Sequence, residues 1–226
     1  MCLNKKTEIP VLPEGFTVTF HAGAMNTKDN TPESLQKALD ENADVAELDV
    51  SFLPDGTPVL IHNDKPTDVN LPRLDDALAM TARYEKTKLN LDLKNVSNLP
   101  AIDALVEKHG LTDRVFYTGV GEDWIETVRT QSKIPYYLNA ILNPLKMSQP
   151  AYIEEFCKKM KDMGALGLNA FFGTVCASAV KGIQAQGLLV SLWTVDKTAD
   201  MFKVLSYAPD NITTNKPDKL RRILSE

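Results

Sequence analysis

Short runs of alternating apolar and polar residues recur along this chain, each followed by a stretch with helical spacing. Lys88-Leu-Asn-Leu-Asp-Leu-Lys94 is the clearest run, with Leu89, Leu91 and Leu93 on one face and Asn90, Asp92 and Lys94 on the other. Val45 to Phe52 alternates in the same way and carries Glu47 and Asp49 on one side. Thr17 to His21 makes a third such strand. Asn30-Thr-Pro-Glu33 then offers a capping side chain, a first-turn Pro and an early acid, which predict a helix start. Leu71–Ala82, Pro100–Lys108, Asp123–Arg129, Tyr152–Met163, Thr174–Ala185 and Ala199–Tyr207 read as further helices, and a last helix begins at Pro217. The strands between them are expected at Arg114–Thr118, Pro135–Asn139, Ala165–Ala170, Leu188–Val195 and Asn211–Thr214. Pro58 to His62 is an extra extended run that can fold back on the acidic strand through the Pro54-Asp-Gly56 turn.

A strand covered on both sides is apolar throughout, so a polar half points into a barrel interior or a site. Eight strand–helix units with short connections therefore predict an α/β protein, a single-domain TIM (β/α)₈ barrel over residues 1–226.

Composition narrows the setting. Hydrophobic residues at 43% and charged residues at 24% are ordinary for a soluble domain. A net charge of -5 without a polybasic run points away from nucleic acid and from a membrane surface. Neither a membrane-spanning run nor a leader-like segment after Met1 is visible, so the expected location is cytoplasmic. Cys2, Cys157 and Cys176 lack ligand spacing and are expected to be packing residues in a reducing compartment.

Active sites of such barrels lie at the C-terminal strand ends. His21, Glu47, Asp49, Asp92, Lys94, Asn139, Asn169 and Trp193 all fall there, and His62 is brought up by the fold-back run. Three carboxylates without a thiolate make a hard-oxygen site suited to Mg²⁺ or Ca²⁺. Such an ion would relieve the repulsion among Glu47, Asp49 and Asp92 and bind a phosphoryl oxygen, with Lys94 adding a second positive charge. Two of the three histidines sit at this mouth, where one could take a proton and the other give one. His109, before Gly110, is read as a helix end and left out. The expected substrate is a small phosphodiester. Two other readings of the same residues stay open: a non-catalytic barrel holding metal and phosphate, and a Schiff-base lyase using Lys94.

His21-Ala-Gly23, Thr31-Pro-Glu33, Glu47-Leu-Asp49, Asp55-Gly56, Val59-Leu-Ile-His62 and Leu91-Asp-Leu-Lys94 follow one another as in the glycerophosphodiester phosphodiesterase family, which this chain resembles. Trp193-Thr-Val195 and Ile212-Thr-Thr-Asn-Lys-Pro217 are similar to its closing motifs. The resemblance implies a metal-dependent hydrolase that releases an alcohol and glycerol phosphate, by way of a cyclic phosphate in one route. It implies acid–base roles for His21 and His62, a metal site of Glu47, Asp49 and Asp92, and a supporting place near the site for Glu33. Lys94 and Trp193 are the expected contacts to phosphate and substrate. Three departures stand out: Ala22 replaces the Arg usual after the first His, Asp92 replaces a usual Glu, and the cap insertion after the second His is absent or minimal. Asp92-x-Lys94 and Glu47-Leu-Asp-Val-Ser-Phe52 look more like sphingomyelinase D-type phospholipases, which act on lipid substrates such as lysophospholipids.

Overall fold

The computed structural model describes residues 9–225. Its strands are β1 (Thr17–Phe20), β2 (Val45–Phe52), β3 (Pro58–Leu60), β4 (Lys88–Leu93), β5 (Val115–Val120), β6 (Tyr136–Asn139), β7 (Gly167–Phe171), β8 (Leu189–Trp193) and β9 (Asn211–Thr214). The helices are α1 (Pro32–Asp40), α2 (Leu74–Thr81), α3 (Leu99–Lys108), α4 (Ile125–Gln131), α5 (Pro150–Met163), α6 (Ala177–Ala185), α7 (Thr198–Leu205) and α8 (Pro217–Leu224). Strand order is β1-β9-β8-β7-β6-β5-β4-β2, and β1 also pairs with β2, so the parallel sheet closes on itself as a TIM barrel.

The alternation in the sequence sorts the strands into two faces. Phe20, Leu48, Val50, Leu89, Leu91, Leu138, Leu168, Val190 and Ile212 point outward and are buried in the main hydrophobic core with the helices. Burying each such side chain contributes roughly 1.5–3 kcal/mol. Most inward positions are polar, and Thr19, Glu47, Asn90, Thr118, Asn169, Ser191, Asn211 and Thr213 are all buried. They satisfy one another, as buried polar groups must. Asn211 donates to Thr17 and Thr19 (2.8 and 2.7 Å), Ser191 donates to Asn211 (3.1 Å), and Thr118 donates to Asn90 (2.9 Å). The barrel is thus glued by apolar packing outside and hydrogen-bonded inside.

β3 is the excursion anticipated from the sequence. It pairs antiparallel with the end of β2, Val50 opposite Leu60 and Phe52 opposite Pro58. β1 pairs only with the start of β2, at Val45 and Ala46, so β3 takes over the same edge where β1 stops. Residues 61–73 then cross to α2 without a helix or strand. The helix expected from Leu71 begins at Leu74, because the Pro72 carbonyl accepts the Leu60 amide and Arg73 bridges to Val59. α1 is capped by Thr31, whose hydroxyl accepts the Ser34 amide at 3.2 Å, with Pro32 in its first turn. His109 ends α3 as read from the sequence, its ring 2.6 Å from Asp75. Cys157 is buried as a packing residue, and Cys2 lies outside the described residues. Among the described residues, no helix is long and apolar enough to cross a membrane.

Candidate active site

Parallel register sets the acids side by side. β2 and β4 pair Glu47 with Asn90 and Asp49 with Asp92, so the three carboxylates share the inward face of two adjacent strands. One oxygen from each of Glu47, Asp49 and Asp92 falls within a span of 4.8 Å. Lys94, just past the end of β4, donates to Asp49 Oδ1 at 2.9 Å and also to Asp92. An ammonium has three N–H groups, so this pairing leaves one directed to other acceptors.

One ammonium does not balance three carboxylates. Glu47, only 8% exposed, has its pKa raised well above the usual carboxylate value, first by burial and then by Asp92 and Asp49; Lys94 and a bond from Asn90 act the other way. Burial pulls the Lys94 pKa down, but Asp92 and Asp49 outweigh it and the ammonium is held above its ordinary value. The donor set fits a hard divalent cation: clustered oxygens, a residual negative charge and a buried carboxyl destabilised for want of positive charge.

The other donors around the acids are fixed. Asn30 Nδ2 donates to Asp49 Oδ2 at 2.7 Å, while the Asp49 amide donates to Asn30 Oδ1 at 2.8 Å. The Thr118 hydroxyl also lies 2.7 Å from Asp92 Oδ1, so its single proton is shared between that carboxylate and Asn90. Asn30 has a φ of 58°, a left-handed conformation that asparagine tolerates. The loop that delivers it is tightly wound: a Cβ at Gly23 would lie 1.8 Å from Asp29 Oδ1. That close approach is the physical reason for a glycine after His21-Ala22.

His21 stands with Nε2 3.8 Å from Glu47 Oε1, and its Nδ1 is buried without a hydrogen-bond partner. Its backbone amide donates to Thr214 O at 3.1 Å, which locks the end of β1 to β9. A neighbouring carboxylate, Asp196, accepts from Thr214, the Asn215 amide and the Asn215 side chain (3.1, 2.8 and 2.9 Å). Burial pushes the Asp196 carboxyl up, but those bonds and the nearby His21 bring it below its usual value.

The three acids, Lys94, Thr118 and His21 line one cavity of about 360 Å³ at the C-terminal mouth. Its lining includes His21, Glu47, Asp49, His62, Asp92, Lys94 and Trp124, with Asn139, Asn169 and Trp193 from β6, β7 and β8. Asn139 accepts from the Gly119 amide (2.9 Å) and Asn169 (3.0 Å), so both amides are held against the wall. The indole N–H of Trp193 is buried without an acceptor.

A sequence model of the glycerophosphoryl diester phosphodiesterase family matches residues 21–71 and 64–219. The chain belongs to that family. Membership makes it a phosphoric diester hydrolase. It is similar to a glycerophosphodiester phosphodiesterase from Caldanaerobacter subterraneus subsp. tengcongensis, 23% identical over 232 residues, covering 90% of this chain and 95% of that one. Its fold is that of a phosphodiesterase from Oleispira antarctica solved with the product sn-glycerol-3-phosphate: TM-score 0.76 at 17% identity, over 95% of this chain and 98% of that one. A glycerophosphodiester phosphodiesterase from Parabacteroides distasonis superposes with a TM-score of 0.74 at 20% identity, over 93% and 97%.

In this phosphodiesterase the residues singled out from sequence largely converge. Glu33 does not. It is exposed in the first turn of α1 and is not in the cavity lining. The side chain that supports Asp49 is Asn30, from the segment read in the sequence only as a helix start. Asp196 and Thr118 also went unnoticed, since their partners lie 18 to 26 residues away in sequence. Ala22 is 1% exposed, and its carbonyl accepts the Asn30 amide at 3.3 Å.

Proposed function

We propose that this phosphodiesterase hydrolyses a glycerophosphodiester to an alcohol and glycerol phosphate, with Glu47, Asp49 and Asp92 holding a divalent cation, Mg²⁺ or Ca²⁺. The observation that carries the reading is the set of three carboxylate oxygens within 4.8 Å beside two imidazoles in one cavity. When bound, the cation supplies charge neutralisation and polarises a phosphoryl oxygen.

The chain's own residues do the rest. Asn30 and Thr118 hold the carboxylates of Asp49 and Asp92 in place. Lys94, fixed by both acids, aims its remaining N–H at a phosphoryl oxygen and stands in for the Arg that Ala22 replaces. His21 and His62 carry protons: one imidazole accepts the proton of the attacking hydroxyl and the other protonates the departing alcohol oxygen. The attacking hydroxyl is water, or a hydroxyl of the substrate glycerol that first closes a cyclic phosphate which water then opens. Asn139, Asn169 and Trp193 form the wall against which the glycerol lies.

The test is glycerophosphocholine turnover followed by phosphorus NMR. Activity is expected to vanish on chelation and return with Mg²⁺ or Ca²⁺. Undiminished activity in excess chelator would remove the cation from the reading.

A further inference from the structure

A second cavity lies at the other end of the barrel. It holds about 320 Å³ and opens at the N-terminal ends of the strands, walled by Thr17 of β1, Lys88 of β4, Phe116 of β5, Tyr137 of β6 and Leu189 of β8. It shares no lining residue with the catalytic cavity. A layer of hydrogen-bonded side chains parts the two. Asn90 and Asn211 face the lower cavity, Thr118 and Thr213 the upper one, and the hydroxyls of Thr118 and Thr213 lie 2.9 and 3.5 Å from the carbonyl oxygens of Asn90 and Asn211.

Two kinds of surface meet in this cavity. One is apolar: the rings of Phe116 and Tyr137 stand edge to face, their centroids 5.5 Å apart, and Leu166 and Leu189 remain 36% and 39% exposed beside them. The other is a floor of hydroxyls. Asn211 Nδ2 donates to Thr17 and Thr19, which uses those two oxygens as acceptors and leaves their O–H protons without a protein acceptor among the described residues. Tyr137 is 8% exposed, and its hydroxyl has no hydrogen-bond partner among the described residues. Burial, and then the charge of Asp210, push its pKa up, so it stays a neutral O–H donor. Buried polar groups are normally paired, so a donor left open on a cavity wall points to an acceptor that the chain does not supply.

We propose that this N-terminal cavity binds one small, neutral cyclic polyol of monosaccharide size. Its volume is at the lower end of the roughly 300–1,000 Å³ of ligand pockets, which suits a single ring. The C–H face of that ring packs on Phe116 and Tyr137, and its oxygens accept from Tyr137, Thr17 and Thr19. Charge at the opening is mixed, Lys88 and Arg114 against Glu14, Asp113 and Asp210, so neither an anion nor a cation is favoured over a neutral molecule.

The experiment titrates isotope-labelled wild-type protein with D-glucose and with D-galactose and follows methyl and indole NMR signals. The methyls of Leu166 and Leu189 are expected to shift saturably, with a Kd of about 1 mM or tighter for one of the two sugars. The indole N–H signals of Trp124 and Trp193, which line the catalytic cavity, are expected to stay in place. Tyr137→Phe keeps the ring and removes the open donor, and should weaken Kd about fivefold. Leu189→Trp narrows the opening and should abolish binding; that position is exposed, so it keeps the test decisive if Tyr137→Phe fails to fold. Thermal unfolding reports whether each variant is folded. Absence of a saturable shift with either sugar up to ~20 mM would overturn the proposal and leave the cavity to water. It would also be overturned by shifts at the two tryptophans in place of the two leucines, or by a Kd unchanged in either folded variant.

Discussion

The two halves of the barrel mouth solve different problems with the same strand geometry. On the β1, β2 and β4 side, inward positions carry His21, Glu47, Asp49 and Asp92, and repulsion is managed by Lys94, Asn30 and Thr118. On the β6, β7 and β8 side, the same inward register carries Asn139, Asn169, Phe171 and Trp193, with no charge among them. The charged half holds like-charge repulsion that a bound divalent cation would relieve. The neutral half offers shape and apolar area. Changes on the charged side should therefore reach the chemical step, and changes on the neutral side should reach binding.

His21→Ala is the strongest way to break that division. Loss of a proton carrier should lower kcat by about 10²- to 10⁴-fold with little change in KM. Stopped assays on glycerophosphocholine measure it, and a variant within threefold of wild type would remove His21 from the chemistry. Asn30→Ala should come next. It removes both Asn30 hydrogen bonds to Asp49, leaving only Lys94 on that carboxylate, and should cost about 10- to 100-fold in divalent-cation affinity, read by calorimetric titration. Trp193→Leu tests the other half: KM should rise roughly tenfold while kcat stays within about threefold, as for lost uniform binding.

Smaller effects sharpen the electrostatic side. The folded-state pKa of Glu47 is raised above the ordinary 4.5 of a free glutamate, so between those two values the folded chain binds more protons than the unfolded one. Stability of the chelated protein should therefore fall as pH rises through and beyond that lower value. Glu47→Gln removes the charge, so the variant should lose less Tm than wild type from pH 4 to pH 8. Added Mg²⁺ or Ca²⁺ should narrow the gap. Equal Tm–pH profiles in chelator would mean that the acid cluster carries no such repulsion. Glu33→Gln should do least. An exposed first-turn acid is worth about 0.3–1 kcal/mol of helix stability, and turnover should stay within about twofold.

Several site residues were legible because their chemistry and their periodicity coincide. Asp92 and Lys94 sit on the polar side of an otherwise leucine-rich strand, and two acids in Val45–Phe52 violate what a strand prefers, so each announces a constrained environment. Asn30 carried only a local signal, as part of a polar run before Pro32 that reads as a helix start. It was Thr31 that capped α1, which freed Asn30 in its left-handed conformation to reach a strand 19 residues on.

Read alone, the amino-acid order determined the repeating strand–helix rhythm, the apolar outside and polar inside of each strand, and the residue types available at each strand end. Those follow from local periodicity, which each segment carries within itself. Only the closed barrel decided which ends meet: that Glu47 and Asp49 stand level with Asn90 and Asp92, that Lys94 bridges two acids, and that Asn30 rather than Glu33 supports Asp49. Register between strands and the path of a loop are settled by packing of the whole core, a sum over contacts distant in the chain that no single segment encodes.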